Sequence, residues 1–295
     1  MMISNSMVIK APAKINLFLE VNDKRTDGYH NLSSVMQSIS LCDILEVSVS
    51  PCKNIVVEVT NYPALSGENN ISYKAADLFM EQMGQNYGVE IHIEKKIPVL
   101  GGLAGGSADA AATLLALNEL LHNPFSPQAL LSMGKRLGAD VPFCIHQGTA
   151  LVRGIGDIIE QCEPLPKCYV VIVKAHNKSS TADMFRKLDA LKDRRIKSID
   201  YMMRALKEQS VKSIGEEMYN VFSTFNDIDT GVIEKQLYSL GATGVCLSGS
   251  GPSIIGLFEF QHDAEIAHEF FAKMGIQNYM AEPINDYKML CGSQF

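Results

Sequence analysis

The stretch Ile97-Pro98-Val99-Leu100-Gly101-Gly102-Leu103-Ala104-Gly105-Gly106-Ser107-Ala108-Asp109-Ala110-Ala111-Ala112-Thr113 decides how the rest of the chain is read. Just before it, Val89, Ile91 and Ile93 alternate with Glu90, His92 and Glu94, the period of a half-buried strand. Just after it, Ala110, Leu114, Leu117 and Leu121 recur at helical spacing in a run rich in alanine and leucine. The glycines therefore fall between a strand and a helix N-terminus. A backbone without β-carbons can curl tightly there and aim its N–H groups at one point. The helix dipole and the first-turn amides make that point an anion site, most commonly for phosphate. Ser107 reads as the N-cap of the helix, with a hydroxyl that could turn instead to a phosphate oxygen or a metal.

Two common phosphate loops do not fit. A Walker loop closes on Gly-Lys-Ser/Thr, and no lysine follows Gly106. A dinucleotide fingerprint has an acidic residue about 20 residues downstream, whereas Glu119 lies only midway and inside the predicted helix. A glycine-rich turn ahead of a capped helix, without any ligand, is the plain alternative. The order Pro-x-x-x-Gly-Leu-x-Gly-Gly-Ser-x-Asp-Ala-Ala, however, resembles the central phosphate loop of the GHMP kinases, the family named for galactokinase and homoserine, mevalonate and phosphomevalonate kinases. Ala108 stands where many members carry a second serine, so one hydroxyl of the family's set is missing.

Composition narrows the class. A chain of 295 residues with 46% apolar and 20% charged residues is long enough for two domains with their own cores. Its net charge of −7 argues against a general nucleic-acid or anionic-membrane surface, so counter-charge for a phosphorylated ligand must be local. No apolar run of about 18 residues and no signal-peptide core is present, which points to a cytoplasmic enzyme without a membrane partner. The seven cysteines (42, 52, 144, 162, 168, 246 and 291) are odd in number and form no Cys-x-x-Cys pair, as expected of reduced thiols.

Met7 to Val21 reads as a strand interrupted at Pro12. Ile15, Leu17, Leu19 and Val21 share one face; Lys14, Asn16, Phe18 and Glu20 share the other. By itself, the Lys14–Asn16 pair reads as surface decoration, and Thr26-Asp27-Gly28-Tyr29-His30-Asn31 as a hairpin connection. Together, Ala11-Pro12-Ala13-Lys14-Ile15-Asn16-Leu17-Phe18-Leu19 and Arg25-Thr26-Asp27-Gly28-Tyr29-His30 closely resemble one branch of the same family. That branch phosphorylates 4-diphosphocytidyl-2-C-methyl-D-erythritol in the non-mevalonate isoprenoid pathway. The Asp-Gly-Tyr-His tetrapeptide separates it from galactokinase and homoserine kinase.

Further strands are predicted over Leu41–Val49 and Ile55–Thr60, then a turn-rich connection and a helix from Asn69 or Asn70 to Gly84. Asn70 suits an N-cap by residue type; the resemblance also sets it beside the adenine pocket. Ser126-Pro127 starts another helix, with Leu130, Leu131, Met133 and Leu137 as its buried face and Gly138 as its stop. Next comes Gly138-Ala139-Asp140-Val141-Pro142-Phe143. Asp140 thus follows a helix C-terminus, where the dipole disfavours an anion and a cation is needed; the family pairs an aspartate of this motif with a lysine of the N-terminal strand, which implies Lys14.

Thr149–Val152 and Tyr169–Val173 read as strands, with a turn at Gly154–Asp157 and a domain boundary near it. Ser180-Thr181-Ala182 and Phe185 match the family, although Ala175 and His176 replace its usual prolines. Lys192-Asp193-Arg194-Arg195 reads as a solvated face. Gly244 to Ser253 is a second glycine-rich turn and matches the third family motif, which flanks the phosphate loop. A final helix, Ala264 to Met274, and a strand close the chain.

The resemblance implies an α+β fold of two domains, 1–155 and 156–295, with the active site in the cleft between them. It implies a kinase using ATP and Mg²⁺. Pro98, Gly101, Gly102, Leu103, Ala104, Gly105, Gly106 and Ser107 would cradle the nucleotide phosphates, with Asn70 near the base and the metal ligands open. Asp140 would take the proton of the substrate 2-hydroxyl, and Lys14 would neutralise charge in transit. Tyr29 and Phe185 would sandwich a cytosine, His30 would bond its edge, and Asn16 and Thr181 would contact the remainder. The implied partners are small molecules, ATP and a cytidine diphosphate sugar-alcohol, acting on a monomer or homodimer. A mevalonate- or homoserine-type alcohol is the competing substrate reading, disfavoured by Asp27-Gly28-Tyr29-His30. A nucleotide-binding relative without turnover is disfavoured by the presence of both Lys14 and Asp140.

Overall fold

In the computed structural model, which describes residues 5–285 except 86, 176–179, 192, 193, 195, 226 and 227, the N-terminal strand outruns its sequence reading. β1 (Asn5–Lys24) passes through Pro12 because its antiparallel pairing with β2 (His30–Ser50) shifts register between Pro12 and Lys14. A proline offers no N–H to a ladder, and such an irregularity is where one is tolerated. Both faces of β1 are covered. Lys14, Asn16 and Glu20 are buried together with Ile15, Leu17 and Leu19, so the surface-decoration reading of the Lys14–Asn16 pair is wrong.

β3 (Ile55–Val59) and β4 (Gly88–Glu94) pair in parallel, joined across α1 (Ile71–Met83). Asn70 caps α1 by accepting from the Ser72 N–H at 2.8 Å, and Gly84 ends it in the left-handed region, as the residue types require. α2 (Gly105–Leu120) is buried almost all round. Its run of alanines lets it sit close against the sheet, with no polar face to offer solvent. α3 (Pro127–Leu137) buries Leu130 and Met133, whereas the predicted Leu131 and Leu137 are only half-buried. α4 (Val141–His146), β5 (Thr149–Gly154) and β6 (Ile158–Gln161) complete the N-terminal half. The seven-stranded first sheet runs β3-β4-β2-β1, with β5 on the first half of β2 and β6 on β5.

The second half comprises β7 (Tyr169–Lys174), α5 (Thr181–Asp189), α6 (Asp200–Glu208), α7 (Val211–Glu217), β8 (Tyr219–Asn220), α8 (Ile228–Ser239), β9 (Gly244–Leu247), β10 (Ser253–Phe258), α9 (Gln261–Lys273) and β11 (Asn278–Ala281). Its four-stranded antiparallel sheet has the order β11-β7-β10-β9. Three features tie the halves together. β8 joins the first sheet beside Phe18 and Leu19; Leu19 and Val21 of β1 pack into the core of the second half; and Pro283 bridges back to Ile39. β1 therefore serves both cores, which makes it a rigid base for a site between them.

Among the described residues no helix is long and apolar enough to cross a membrane. The six cysteines described are all unpaired, and burial pushes the Cys42 thiol up to about 11 and that of Cys168 to about 12. Cys291 and residues 176–179, including the His176 departure, lie outside the described residues.

Candidate active site

A cleft of about 1140 Å³ runs between the halves and takes in the phosphate-loop stretch, Lys14, Asp140 and the Tyr29–His30 turn. Its loop is shaped by three left-handed residues, Leu100 (φ 59°), Gly102 (φ 77°) and Ala104 (φ 57°). Gly102 has no alternative: a β-carbon there would lie 2.4 Å from the Ser248 carbonyl oxygen. The second glycine-rich turn presses on the loop from the other half, as its motif implied. Ser248 Oγ donates to the Gly102 carbonyl at 3.1 Å, and the Ser253 N–H donates to that of Gly101 at 3.3 Å. Lys174, at the end of β7, donates to the Val99 carbonyl at 3.3 Å.

The N-cap position of α2 belongs to Ala104, not Ser107. The left-handed turn at Ala104 lets helical geometry begin at Gly105, which moves Ser107 into the first turn. Its hydroxyl is thereby freed from capping and lines the cleft. The amides of Gly105, Gly106 and Ser107 precede the first helical bond, from the Ala108 N–H to the Ala104 carbonyl at 2.9 Å, so three donors point out of the helix end. Pro98, Gly101, Gly102, Ala104, Gly105, Gly106 and Ser107 all line the cleft. Leu103 does not. Its side chain is fully buried, and its carbonyl accepts from the Lys14 N–H at 3.1 Å, which anchors the loop to β1.

The predicted pair does meet: Lys14 Nζ lies 3.8 Å from Asp140 Oδ2. The ammonium is almost wholly buried, with 5% of the side chain exposed against 34% for the aspartate, so the carboxylate faces the cleft and the lysine supports it from below. Lys14 Nζ also donates to Asn16 Oδ1 at 2.8 Å, and the Gly249 N–H donates to the same oxygen at 2.9 Å. Asn16 Nδ2 gives its hydrogen to Ser34 Oγ at 2.8 Å. Asn16 thus orients the lysine, and one of its two Nδ2 hydrogens has no partner among the described residues.

One electrostatic expectation is corrected. Asp140 occupies the N-cap position of α4, with Pro142 in the first turn, so the nearest helix dipole favours its carboxylate rather than opposing it. The Val141-Pro142 dipeptide was the available signal for that short helix.

At the other end of the cleft, Tyr29 is 63% exposed and Phe185 stacks on His30, with ring centroids 4.9 Å apart and planes 24° apart. Phe222 meets Phe185 edge-on at 5.1 Å. His30 Nε2 lies 2.7 Å from Asp189 Oδ1, and Thr181 Oγ1 lies 2.8 Å from Ser250 Oγ. All five residues implied for the acceptor, Asn16, Tyr29, His30, Thr181 and Phe185, line the same cleft. Asn70 lines it too, but both ends of its amide are occupied: Oδ1 by Ser72, and Nδ2 by the Leu65 carbonyl at 2.8 Å.

Sequence reasoning missed two buried charge clusters. Beneath the loop, Lys95 Nζ reaches Asp43 and, at 2.5 Å, Asp109 Oδ2. The second oxygen of Asp43 accepts the N–H groups of Lys96 and Ile97, where the chain enters the loop. Two carboxylates share one ammonium here. Burial lowers the Lys95 pKa, but Asp109 and Asp43 outweigh it and hold the lysine charged; burial and Asp43 push the Asp109 carboxyl well up. The other cluster is the buried Glu20, which binds Arg194 and accepts the Lys197 N–H at 2.9 Å. Arg194 is therefore not on a solvated face, as its run of charges implied. Side-chain spacing along the chain carries no hint of such long-range pairs.

Cleft, loop and pair together define a nucleotide-dependent phosphotransferase fold, and the comparisons agree. The sequence profile "GHMP kinases N terminal domain" matches residues 70–148, and "GHMP kinases C terminal" matches residues 202–277. The chain belongs to the GHMP kinase family.

Its relatives include the 4-diphosphocytidyl-2-C-methyl-D-erythritol kinase of Alkaliphilus metalliredigens, 36% identical over 93% of this chain and 95% of that protein. The enzyme of the same name from Acetivibrio thermocellus is 40% identical over 90% and 94%. Among solved structures, a 4-(cytidine 5'-diphospho)-2C-methyl-D-erythritol kinase is 30% identical, covers 97% of this chain and 100% of its own, and superposes with a TM-score of 0.74. The homoserine kinase of Cytophaga hutchinsonii, at 21% identity, 96% coverage of both chains and a TM-score of 0.72, shares the fold.

Proposed function

We propose that this chain transfers the γ-phosphoryl group of ATP to the 2-hydroxyl of 4-diphosphocytidyl-2-C-methyl-D-erythritol. The observation that carries the reading is the junction of three parts in one cleft. The phosphate loop, the Lys14–Asp140 pair and an aromatic subsite at Tyr29, His30 and Phe185 open onto the same space. The named relatives, which span most of this chain, support the choice of acceptor.

Phosphoryl transfer asks a protein chiefly for alignment and for stabilisation of spread negative charge. In this reading the amides of Gly105, Gly106 and Ser107 receive the phosphates at the N-terminus of α2. Asp140, exposed on the cleft side, accepts the hydroxyl proton as the oxygen attacks. Lys14, held by Asn16, keeps positive charge beside that carboxylate and the transferring group. Tyr29 and Phe185 grip the cytosine faces, His30 bonds its edge, and Asn16 and Thr181 contact the remainder of the acceptor.

Mg²⁺ fits the donors present. The Ser107 hydroxyl and the Asp140 carboxylate are hard oxygens on the cleft wall, and no cluster of three acidic, histidine or cysteine groups exists among the described residues to hold a metal alone. Ser107 would therefore hold the ion together with nucleotide oxygens and water, as this cation prefers. When bound, it neutralises phosphate charge. The reading keeps the expected cytoplasmic location, a monomer or homodimer, and a division near residue 155. The pairing of β6 with β5 through Gln161 and the start of β7 at Tyr169 support setting that division a few residues later, between the two strands.

The test is a panel of alcohols with ATP, scored by ADP release: the cytidyl substrate, mevalonate and homoserine. Turnover of the cytidyl compound alone is expected. Turnover of mevalonate or homoserine instead would overturn the acceptor assignment and leave the family intact.

A further inference from the structure

At the mouth of the cleft, side chains from both halves close on one carboxylate. Asp189, the last residue of α5, accepts from Lys24 Nζ through Oδ2 at 2.5 Å and lies 2.7 Å from His30 Nε2 through Oδ1. Lys24 ends β1 and His30 begins β2, so Asp189 ties this hairpin to α5. The His30 ring is stacked on Phe185 and only 11% of its side chain is exposed, on the cleft wall. With one face covered and one nitrogen taken, its orientation is fixed.

The carboxylate decides what the other nitrogen can do. The hydrogen bond from Lys24 holds the Asp189 carboxyl below the usual range, so at neutral pH it is ionised and only accepts. Nε2 must then carry the ring hydrogen. In the neutral imidazole, Nδ1 has none and can only accept. It makes no hydrogen bond among the described residues. A base edge that offers an amino group would satisfy it; a carbonyl oxygen in the same place would set two lone pairs against each other. Cytosine carries an exocyclic amine where uracil carries a carbonyl oxygen.

We infer that Asp189 is a positioning residue for base selection: by holding His30 as the Nε2–H tautomer, it makes the acceptor subsite prefer an amino-bearing pyrimidine to its carbonyl counterpart. This rests on the proposed acceptor. Asp189 works through His30 and touches no reacting atom.

Asp189→Asn tests it without changing shape. Lys24 requires an acceptor, so the amide oxygen stays with Lys24 and the amide NH₂ faces His30. Nε2 must then accept, and the ring hydrogen moves to Nδ1. Two measurements follow, on the intact chain. The first is kcat/KM for the cytidine diphosphate substrate against its uridine counterpart; the variant should lose preference for cytidine by about tenfold or more, through the acceptor KM and not the ATP KM. The second is the ¹⁵N spectrum of labelled histidine, which should report a protonated Nε2 and bare Nδ1 for His30 in the wild type and the reverse in the variant. An unchanged base preference in an active variant overturns the inference, as does an Nδ1–H tautomer in the wild type. A wild type that phosphorylates neither pyrimidine form overturns the acceptor reading itself, a result distinguishable from unaltered selectivity.

Discussion

Neutralising Lys14 and Asp140 singly and together asks whether they act as one unit. The two charges lie 3.8 Å apart. At that distance a unit pair is worth about 4 kcal/mol at an effective dielectric of about 20 and about 1 kcal/mol in water. Because a third of the Asp140 side chain meets solvent, the interaction falls between these limits, at about 1–3 kcal/mol, or about fivefold to 150-fold in rate. Asp140→Asn keeps the shape and removes the proton acceptor, and should lower kcat by about 10²–10⁴ with little change in either KM. Lys14→Met keeps the buried stem and removes the charge. Asn16 Oδ1 still accepts from the Gly249 N–H at 2.9 Å, so the change orphans no buried acceptor and the protein should fold. Steady-state ADP release at saturating substrates gives kcat, with thermal melting to confirm folding. The double variant should lose less than the product of the single losses by the coupling factor above. Losses that multiply fully would show two independent groups. A near-normal kcat in Asp140→Asn would reduce that residue to an orienting role and refute the proton-transfer step.

The loop, the acceptor subsite and the buried cluster can each be probed as simply. In Gly102→Ala the new β-carbon would lie 2.4 Å from the Ser248 carbonyl at a φ of 77°, so the seam between the halves must shift; ATP affinity measured by calorimetry should fall at least about tenfold, with stability down by about 1–3 kcal/mol. Gly231→Ala in α8, outside the cleft and with nothing within 4 Å of its β-carbon, is the control; wild-type ATP affinity in Gly102→Ala would refute the loop assignment. Tyr29→Ala and Phe185→Ala should each raise the acceptor KM by about tenfold to a hundredfold without altering that for ATP. Only the second should also lower Tm, because Phe185 packs on His30 and Phe222 while Tyr29 is exposed; unchanged acceptor KM in both would leave them without a role in base binding. Lys95→Met strands the buried Asp43 and Asp109 carboxylates and should lose about 3–5 kcal/mol in urea unfolding, partly restored by adding Asp109→Asn. A loss under about 1 kcal/mol would mean the cluster does not brace the loop.

Much of this protein was readable from local pattern. The β4 alternation, the Asn70 and Ser126 caps, the glycine stop at Gly84 and the strand–glycine–helix order at the phosphate loop are short-range properties, set by backbone sterics and by which side chain can satisfy the next few amides. Family resemblance extended that reading to residues far apart in sequence and picked out Lys14, Asp140 and the Tyr29–His30 turn. It did not say how they are held. β2 was missed over Asn31–Ser40, where polar serines do not look like a strand until β1 and β5 flank them.

What the tertiary structure alone decided is the placement of charge. Whether a lysine is solvated or buried depends on what packs over it: Lys14 became a buried cation because both faces of β1 are covered, and Lys95 because the chain closes over it beside Asp43 and Asp109. Asp140 changed from an anion at an unfavourable helix end to one at a favourable end because six residues after it wind into α4. Glu20 found Arg194, 174 residues away, and Asp189 found Lys24 and His30. The sequence by itself determined which elements form and which chemistry is available, because those follow from neighbouring residues. The fold determined which charges meet, because desolvation and close approach arise only when distant parts of the chain are brought together.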